Sequence, residues 1–358
     1  MISKQKHLAR NILVLLLLFL CVTEITVRIV FAVKNYTIGK VTPAWMAFNP
    51  VDSLLLQQSC FTDAQGIYKL KRKYWEQQGH AINRENFRGK DFIPDSLDDT
   101  AVSVLFIGDS FVWGAHAKPI DSCFVDLLDR DEKFVCYNAG APGTDPAQYA
   151  AVAEHYVPQL QPAVTVVCVY LANDLMSEPR AIVPNEELWY QTNAGWMPVN
   201  YKGKHFATAQ ESYEYITNKY AANVAWEKLL LKSALGTAIL SLPFRLEEYA
   251  EWNAKRKSPV TNDYLRKIQS VCAKWNSRFA VVIIPAVQTD LTKDFFKDAP
   301  AYVQQQYPAL MNGIENACFI LPAKKEMYYP PPDGHLNNSG HKFAAEFIRA
   351  TILSSTPL

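Results

Sequence analysis

The sequence predicts an α/β fold in which a five-stranded, mostly parallel sheet is doubly wound, with helices on both of its faces. Short apolar runs rich in β-branched residues are typical of strands that are buried on both faces. Helical patterns separate these runs, and this alternation favours a parallel sheet in a three-layer α/β/α arrangement. One helix is predicted over 144–160, with Asp145 as its N-cap and Pro146 as its first residue. The five predicted strands lie within residues 101–108, 133–140, 163–174, 279–286 and 317–323.

Length and composition allow one large or two modest domains. The 358 residues are 49% hydrophobic, and 36 basic side chains nearly balance 35 acidic ones. Because neither sign forms a long run, the chain lacks the electrostatic footprint of a nucleic-acid-binding protein. The seven cysteines are scattered without CxxC or metal-ligand spacing, so we expect most of them in the core. The odd number of cysteines does not support a full disulfide framework, and we assign no bridge, although an oxidising compartment would allow one. We predict no metal and no cofactor.

An apolar segment near the N-terminus predicts a membrane anchor. A helix over 12–33 would be roughly 33 Å long, which is enough to span a hydrocarbon core. Glu24 and Arg28 lie one turn apart near its far end, where they can pair and reach the interface. Basic residues precede the span, so the positive-inside rule leaves the N-terminus in the cytoplasm and exports the rest, in a bacterium to the periplasm or cell surface. The alternative is a signal peptide that is cleaved after Ala32.

The predicted organisation follows from these patterns. Residues 1–34 form a cytoplasmic tail and a single-pass anchor, residues 35–100 an irregular lead-in packed on the domain, and residues 101–358 the main domain. An insertion at about 175–260 interrupts the alternation, with a hairpin within 187–201 followed by amphipathic helical stretches. Since it follows the carboxyl end of a strand, we interpret it as a lid beside the ligand crevice; extra packing without ligand contact is the alternative.

Chemically useful residues follow the first three predicted strands. In open α/β sheets, ligands bind outside the carboxyl ends of the strands, so Ser110 in "VLFIGDSFVWG" has the position of a nucleophile. Gly143 in "YNAGAPGTDP" can expose its backbone N–H because no side chain blocks approach. Asn173 in "YLAND" offers a neutral amide donor to a developing oxyanion. Each has an ordinary alternative: a helix cap at Asp109 or Ser110, a turn at Gly143, and an Asx turn at Asn173.

An acid and a histidine precede the last predicted helix. A carboxylate two residues from a histidine, as with Asp333 and His335, can orient the ring and leave its other nitrogen to accept a hydroxyl proton. A turn or cap is again the alternative for each residue alone. The four features together at one sheet edge are a much less common coincidence, so the set predicts nucleophilic catalysis.

In this order the motifs resemble those of the SGNH, or GDSL, hydrolase family, over about residues 80–355. The resemblance implies a flavodoxin-like sheet and an ester hydrolase. It implies that Ser110 is the nucleophile and first oxyanion donor, that Gly143 and Asn173 are the other donors, and that His335 with Asp333 is the base and its partner. In many members the last pair is spaced as Asp-x-x-His. The spacing in "DGH" is Asp-x-His, which is similar to that of anchored and polysaccharide-modifying relatives.

A further segment resembles one class within that family. "INRENFRGKDF" is similar to the segment that precedes the catalytic domain of membrane-anchored bacterial members, whose anchors often carry a Glu and an Arg, as this one does at Glu24 and Arg28. Rival motifs fit poorly, since the chain has no GxSxG, and "GAPGTDP" is neither a P-loop nor a full GxGxxG. His341 we expect to be a surface or capping residue and not a metal ligand.

The expected protein is therefore a membrane-anchored SGNH-type serine esterase that acts outside the cytoplasm. Its substrate would be an acyl ester on a small molecule or a carbohydrate, such as O-acetyl groups on cell-envelope carbohydrate. One alternative is an O-acyltransferase that passes the acyl group to a sugar hydroxyl with the same residues. The other is a non-catalytic carbohydrate-binding member of the fold.

Overall fold

The chain forms two compact units in a computed structural model. One unit consists of Met1–Val51 and Gln210–Ala250, and the other consists of Asp52–Ala209 and Glu251–Leu358. The structure describes residues 2–33, 38, 57–58, 60–92, 101–182, 189–192, 195–198, 200–201, 204–208, 211–212, 214–215, 225–287, 289–330 and 334–355.

Helices and strands alternate along the chain. The helices are α1 (Ile2–Val33), α2 (Arg72–Gln77), α3 (Ser110–Trp113), α4 (Phe124–Asp129), α5 (Pro146–Leu160), α6 (Ala225–Leu230), α7 (Ala234–Lys257), α8 (Val260–Lys274), α9 (Lys293–Lys297), α10 (Ala299–Gln306) and α11 (Asn338–Thr351). The strands are β1 (Gln57–Gln58), β2 (Cys60–Thr62), β3 (Tyr68–Leu70), β4 (Val102–Gly108), β5 (Phe134–Gly140), β6 (Val164–Tyr170), β7 (Trp189–Thr192), β8 (Gly195–Pro198), β9 (Asn200–Tyr201), β10 (Lys204–His205), β11 (Arg278–Ile284) and β12 (Cys318–Ile320).

The main sheet is parallel, and its five strands are the five that the sequence predicts. Its order is β12-β11-β6-β4-β5, and each neighbouring pair is parallel. Numbered by position along the chain, this is the order 2-1-3-4-5 of flavodoxin-like doubly wound folds. The predicted fold class is thus confirmed. In such a sheet the ligand crevice lies where the connections leave in opposite directions, which here is beside β4.

Helices cover both faces of this sheet. Alternate side chains along a strand point to opposite faces, and each face has its own apolar core. Leu105 and Ile107 of β4 pack with residues of α5 and α8 on one face. Val104 and Phe106 of the same strand pack with residues of α4 and α11 on the other. This is the predicted three-layer arrangement.

Helix α5 begins where the sequence predicts. Pro146 is its first residue, and the Asp145 carboxylate accepts a hydrogen bond from the Gln148 backbone N–H at 3.2 Å. The cap satisfies an N–H that has no partner inside the helix. The expectation that most cysteines lie in the core is also confirmed, since five are buried: Cys60, Cys123, Cys136, Cys168 and Cys272.

The described part of the lead-in packs on the domain. Within residues 60–92, β2 and β3 form an antiparallel hairpin that is followed by α2. Apolar side chains of this segment, such as Trp75, form a cluster with Trp113 and Ala141, which follow β4 and β5. The segment therefore contacts the loops at the carboxyl edge of the sheet.

The insertion contains both kinds of structure that the sequence predicts. Strands β7 and β8 pair as an antiparallel hairpin with Thr192 opposite Gly195, which confirms the hairpin prediction. Helices α6 and α7 follow. Because residues 210–250 belong to the unit that contains α1, the insertion is divided between the two units. A lid function for it stays a prediction.

Helix α1 contains the predicted apolar span. The stretch Arg10–Val33 is long and apolar enough to cross a membrane, a test that a signal sequence also passes. Most large apolar side chains from Ile12 to Val33 are exposed along it, whereas Phe31 is buried. Glu24 and Arg28 form the expected pair, with Arg28 Nε 2.7 Å from Glu24 Oε1.

Candidate active site

Ser110 lies at the junction of β4 and α3. Strand β4 ends at Gly108, and the carboxylate of Asp109 caps α3 by accepting a hydrogen bond from the Phe111 backbone N–H at 2.9 Å. Helix capping, the alternative interpretation of this motif, thus applies to Asp109. The hydroxyl of Ser110 is not used as the cap.

The hydroxyl of Ser110 contacts the imidazole of His335, a residue 225 positions later in the chain. Ser110 Oγ lies 2.8 Å from His335 Nε2, which is hydrogen-bond distance. The His335 ring packs at 5.1 Å from the Phe111 ring, and its backbone carbonyl accepts a hydrogen bond from the Tyr329 N–H at 2.7 Å. The ring is therefore held over the start of α3.

Asn173 lies in the turn that follows β6 and reaches the same site. Its Nδ2 donates to Asp109 Oδ2 at 3.0 Å, and that oxygen accepts a weaker hydrogen bond from Ser110 Oγ at 3.4 Å. Asp109 is almost completely buried, and burial raises the pKa of its carboxyl. The carboxylate of Asp109 therefore connects the helix start with the side-chain amide of Asn173.

Gly143 lies in the loop between β5 and α5, beside β4. Its φ of +77° is in the left-handed region, which favours glycine, and the residue is exposed. The next residue secures the loop, because the Thr144 hydroxyl lies 2.7 Å from the Ala141 carbonyl oxygen and 3.2 Å from that of Gly108. Among the described residues, Gly143 makes no hydrogen bond to the set formed by Ser110, His335 and Asn173.

Asp333, the predicted partner of His335, lies outside the described residues. Its neighbour Gly334 has a φ of +74°, and a Cβ there would lie 3.2 Å from the Tyr170 hydroxyl oxygen. Any other residue at position 334 would thus have a strained backbone, and its Cβ would lie unusually close to Tyr170. The glycine of "DGH" allows this loop to pass close to the end of β6 just before His335.

Sequence reasoning missed Asp174, which organises the turn that carries Asn173. Its side chain is fully buried, accepts from the Tyr149 hydroxyl at 3.0 Å and accepts from the Tyr170 N–H at 2.8 Å. Burial, together with the nearby Asp109, raises the pKa of the Asp174 carboxyl. The acid directly after Asn173 in "YLAND" was the available signal, since Asp commonly closes such turns.

Arg88 is a second residue that sequence reasoning did not single out, although it lies in "INRENFRGKDF". Its buried guanidinium donates to the Trp113 carbonyl at 2.5 Å, to the Ile120 carbonyl, and to Asp126 at 2.6 Å. Trp113 is the last residue of α3. Arg88 therefore secures the far end of the short helix that begins with Ser110.

The expectation that His341 is a surface or capping residue is wrong. The ring is buried in α11, and its Nε2 lies 3.4 Å from the Ala115 carbonyl oxygen. Burial lowers the pKa of this histidine to about 4, so the ring is neutral at pH 7. Across the part of the chain that the structure describes, no group of three His, Cys, Asp or Glu side chains is placed to hold a metal ion.

Comparison with known proteins gives likeness to solved structures only. No family model matches the sequence, and no curated protein matches it. The chain is similar to TesA, with 11% identity and a TM-score of 0.35 over 70% of this chain and 97% of that chain. It is similar to a lipase/acylhydrolase from Enterococcus faecalis, with 12% identity and a TM-score of 0.35 over 71% of this chain and 97% of that chain. It is also similar to the acetyl xylan esterase AlAXEase, with 13% identity and a TM-score of 0.35 over 70% of this chain and 100% of that chain. At these values we argue the function from the contacts of the site.

Proposed function

We propose that this chain is a serine esterase of the SGNH type, with Ser110 as nucleophile and His335 as general base. The observation that carries the proposal is the 2.8 Å contact between Ser110 Oγ and His335 Nε2 at the carboxyl edge of a parallel sheet. A base must lie within about 2.6–3.2 Å of the proton that it removes. The shared order of four motifs with SGNH hydrolases supports the same assignment.

The proposed reaction proceeds through an acyl-enzyme. Ser110 Oγ attacks the ester carbonyl carbon while His335 Nε2 takes the hydroxyl proton, and the tetrahedral intermediate expels the alcohol, which receives that proton. Water then attacks the acyl-serine with His335 again as base, which releases the carboxylic acid and restores the serine. Asp333 is the proposed partner of the other ring nitrogen, Nδ1.

The backbone N–H groups of Ser110 and Gly143 and the amide of Asn173 are the proposed oxyanion donors. One hydrogen of the Asn173 amide is donated to Asp109 at 3.0 Å, and this contact fixes the plane of the amide. The other amide hydrogen is then available for an oxyanion. Donors that are already oriented cost no reorganisation when negative charge develops on the substrate.

The proposed substrate is an acyl group on a bulky alcohol, with O-acetylated envelope carbohydrate as the first class to test. Gly143 and Asn173 are both exposed, which supports a site that is open to a large alcohol. Transfer of the acyl group to a sugar hydroxyl uses the same acyl-enzyme. The two reactions differ in the acceptor, so product analysis with and without added oligosaccharide separates esterase from O-acyltransferase.

Active-site labelling tests the proposed function directly. A fluorophosphonate probe should label the full-length protein, and peptide mapping should place the adduct on Ser110. His335→Gln should greatly slow labelling, because the hydroxyl then lacks its base. Absence of labelling in the folded wild-type protein would favour the non-catalytic, carbohydrate-binding alternative.

Replacement of Asn173 by alanine is expected to lower kcat by about a hundredfold to a thousandfold, because removal of one oxyanion donor has this cost in other acyl-transfer enzymes. The change in KM should be small, since the bond forms mainly in the transition state. Steady-state kinetics on p-nitrophenyl acetate gives both constants. A decrease in kcat of less than about threefold would exclude the amide from the oxyanion hole.

We also propose that α1 is an uncleaved single-pass anchor in the plasma membrane, with the catalytic domain on the periplasmic or extracellular side. Alkaline phosphatase fused after residue 358 should then be active, because basic residues precede the span. A fluorescent protein that matures only in the cytoplasm should be dark at the same position. Fluorescence of this fusion would show that the C-terminal domain lies in the cytoplasm and would contradict the proposed orientation.

A carbonate wash separates the anchor from a signal peptide. An uncleaved span should keep the full-length chain in the membrane fraction. Cleavage after Ala32 would instead release a soluble product that is lighter by about 3.5 kDa, at about 110 Da per residue. That outcome would contradict the anchor and leave the proposal for Ser110 and His335 unaffected.

A further inference from the structure

The unit that contains α1 exposes large apolar side chains outside the span as well. Across the part of the chain that the structure describes, Phe296 is the one exposed large apolar side chain found in the other unit. The remaining ones outside α1 are Tyr215, Trp226, Leu229, Ile239, Leu242, Leu246 and Tyr249. Exposed apolar patches on a soluble protein commonly mark a surface that contacts a membrane or another protein.

Most of these side chains form one stripe on α7. Ile239, Leu242, Leu246 and Tyr249 follow one another at intervals of three, four and three residues, so they share one face of the helix. Thr237 and Ser241, on another face, are buried. The helix thus turns its large apolar residues outward and its small polar ones inward, the reverse of a helix on the surface of a soluble protein.

The first turn of α7 is held against the span. The carboxylate of Glu24 accepts hydrogen bonds from the backbone N–H groups of Ala234 at 3.0 Å and Leu235 at 2.8 Å, in addition to that from Arg28. These N–H groups have no partner inside their own helix. The start of α7 therefore lies beside Glu24, in the half of the span that is nearer the C-terminal end of α1.

Charged and aromatic residues indicate the depth of this segment. Glu227, Lys228 and Lys232 lie in α6 or in the turn that follows it, which disfavours the centre of a bilayer. Trp226 and Tyr249, at the two ends of the exposed surface, are side chains that prefer the membrane interface. The combination is typical of a helix that lies between headgroups and acyl chains.

We propose that α6 and the part of α7 from Ala234 to Tyr249 form a second membrane contact, in the interfacial region of the leaflet nearer the C-terminal end of α1. The stripe of Ile239, Leu242, Leu246 and Tyr249 faces lipid. Lipid is the occupant because the stripe belongs to the same unit as the exposed apolar surface of α1, to which α7 is joined by the Glu24 contacts. This inference rests on the proposed anchoring by α1 and is independent of the proposed chemistry.

Spin-label accessibility tests the contact in the full-length chain, reconstituted in vesicles of phosphatidylethanolamine and phosphatidylglycerol. Nitroxides are attached to Leu242→Cys and, as a second position, Ile239→Cys, in a Cys21→Ala background. Glu251→Cys, on the charged part of the same helix, is the matched control. Oxygen concentrates in lipid and a charged nickel complex stays in water, so the oxygen-to-nickel ratio at 242 and 239 should be at least several-fold higher than at 251.

Each other outcome overturns the inference in a recognisable way. High nickel accessibility at 242 and 239 would place the stripe in water. Low accessibility to both reagents would place it against protein, for which a second copy of the chain is the first candidate. Release of the chain by a carbonate wash would remove the anchor and this contact together, whereas fluorophosphonate labelling of Ser110 would still report on the esterase.

Discussion

Replacement of Ser110 by alanine is expected to lower kcat for p-nitrophenyl acetate on the order of a millionfold, to the background rate. Removal of the nucleophile has a cost of this size in a serine hydrolase. Alanine removes the oxygen that lies 2.8 Å from His335 Nε2 and retains the backbone. The Asp109 cap on α3 uses the Phe111 N–H and is unaffected, so the variant should fold.

Ser270→Ala is the matched control for this variant. Ser270 is exposed on α8, and its hydroxyl bonds to the Arg266 carbonyl one turn earlier. The control should retain wild-type turnover, and both variants should show the wild-type circular dichroism spectrum. Turnover by Ser110→Ala above background would show that another group attacks the ester.

The largest effect on stability is expected from Arg88→Met, which should lower the free energy of unfolding by about 3 kcal/mol. Arg88 is buried, whereas its partner Asp126 is about one quarter exposed, so we expect the low end of the range for a broken buried pair. The variant also leaves the carbonyls of Trp113 and Ile120 without this donor. Urea denaturation of the purified protein in detergent measures the change.

Arg130→Met removes the same kind of group from an exposed pair. Arg130 and Asp121 are both more than half exposed, and such pairs contribute about 0–1 kcal/mol. The control should therefore unfold close to the wild-type midpoint. Equal effects of the two substitutions would mean that the Arg88 contacts add nothing beyond a surface ion pair. Because Arg88 secures α3, its variant should also lose esterase activity at a lower urea concentration.

The sheet could be predicted from the sequence because its signal is local. Strands β4, β5, β6 and β11 are seven-residue segments with nearly continuous burial, and a strand buried on both faces needs a continuous apolar run. The carboxyl ends of parallel strands meet at one edge, so the positions of Ser110, Gly143 and Asn173 relative to the strands could be predicted as well. Neither prediction required knowledge of contacts between residues that are distant in the sequence.

The remaining features depend on contacts between distant segments. The role of Arg88 depends on the carbonyls of Trp113 and Ile120, which only the folded chain brings close to it. The N–H donors to Glu24 lie some 210 positions later in the chain.

The burial of His341 is different, because the local sequence did contain a signal for it. With Ala344, Ala345 and Ile348 it falls at the i, i+3, i+4 and i+7 positions of α11, the spacing of a buried helix face. Because histidine is titratable, it was not counted among the residues of the buried face, and the periodicity was overlooked.

The separation of 225 residues between Ser110 and His335 has a consequence for the newly synthesised chain. During synthesis from the N-terminus, β4, β5 and β6 emerge long before "DGH" and α11. A nascent chain in which Ser110 has already emerged therefore lacks His335, the proposed base. Under the proposed mechanism, ester hydrolysis would begin only when the last segment docks, so a chain that is truncated before residue 335 would contain Ser110 without its proposed base.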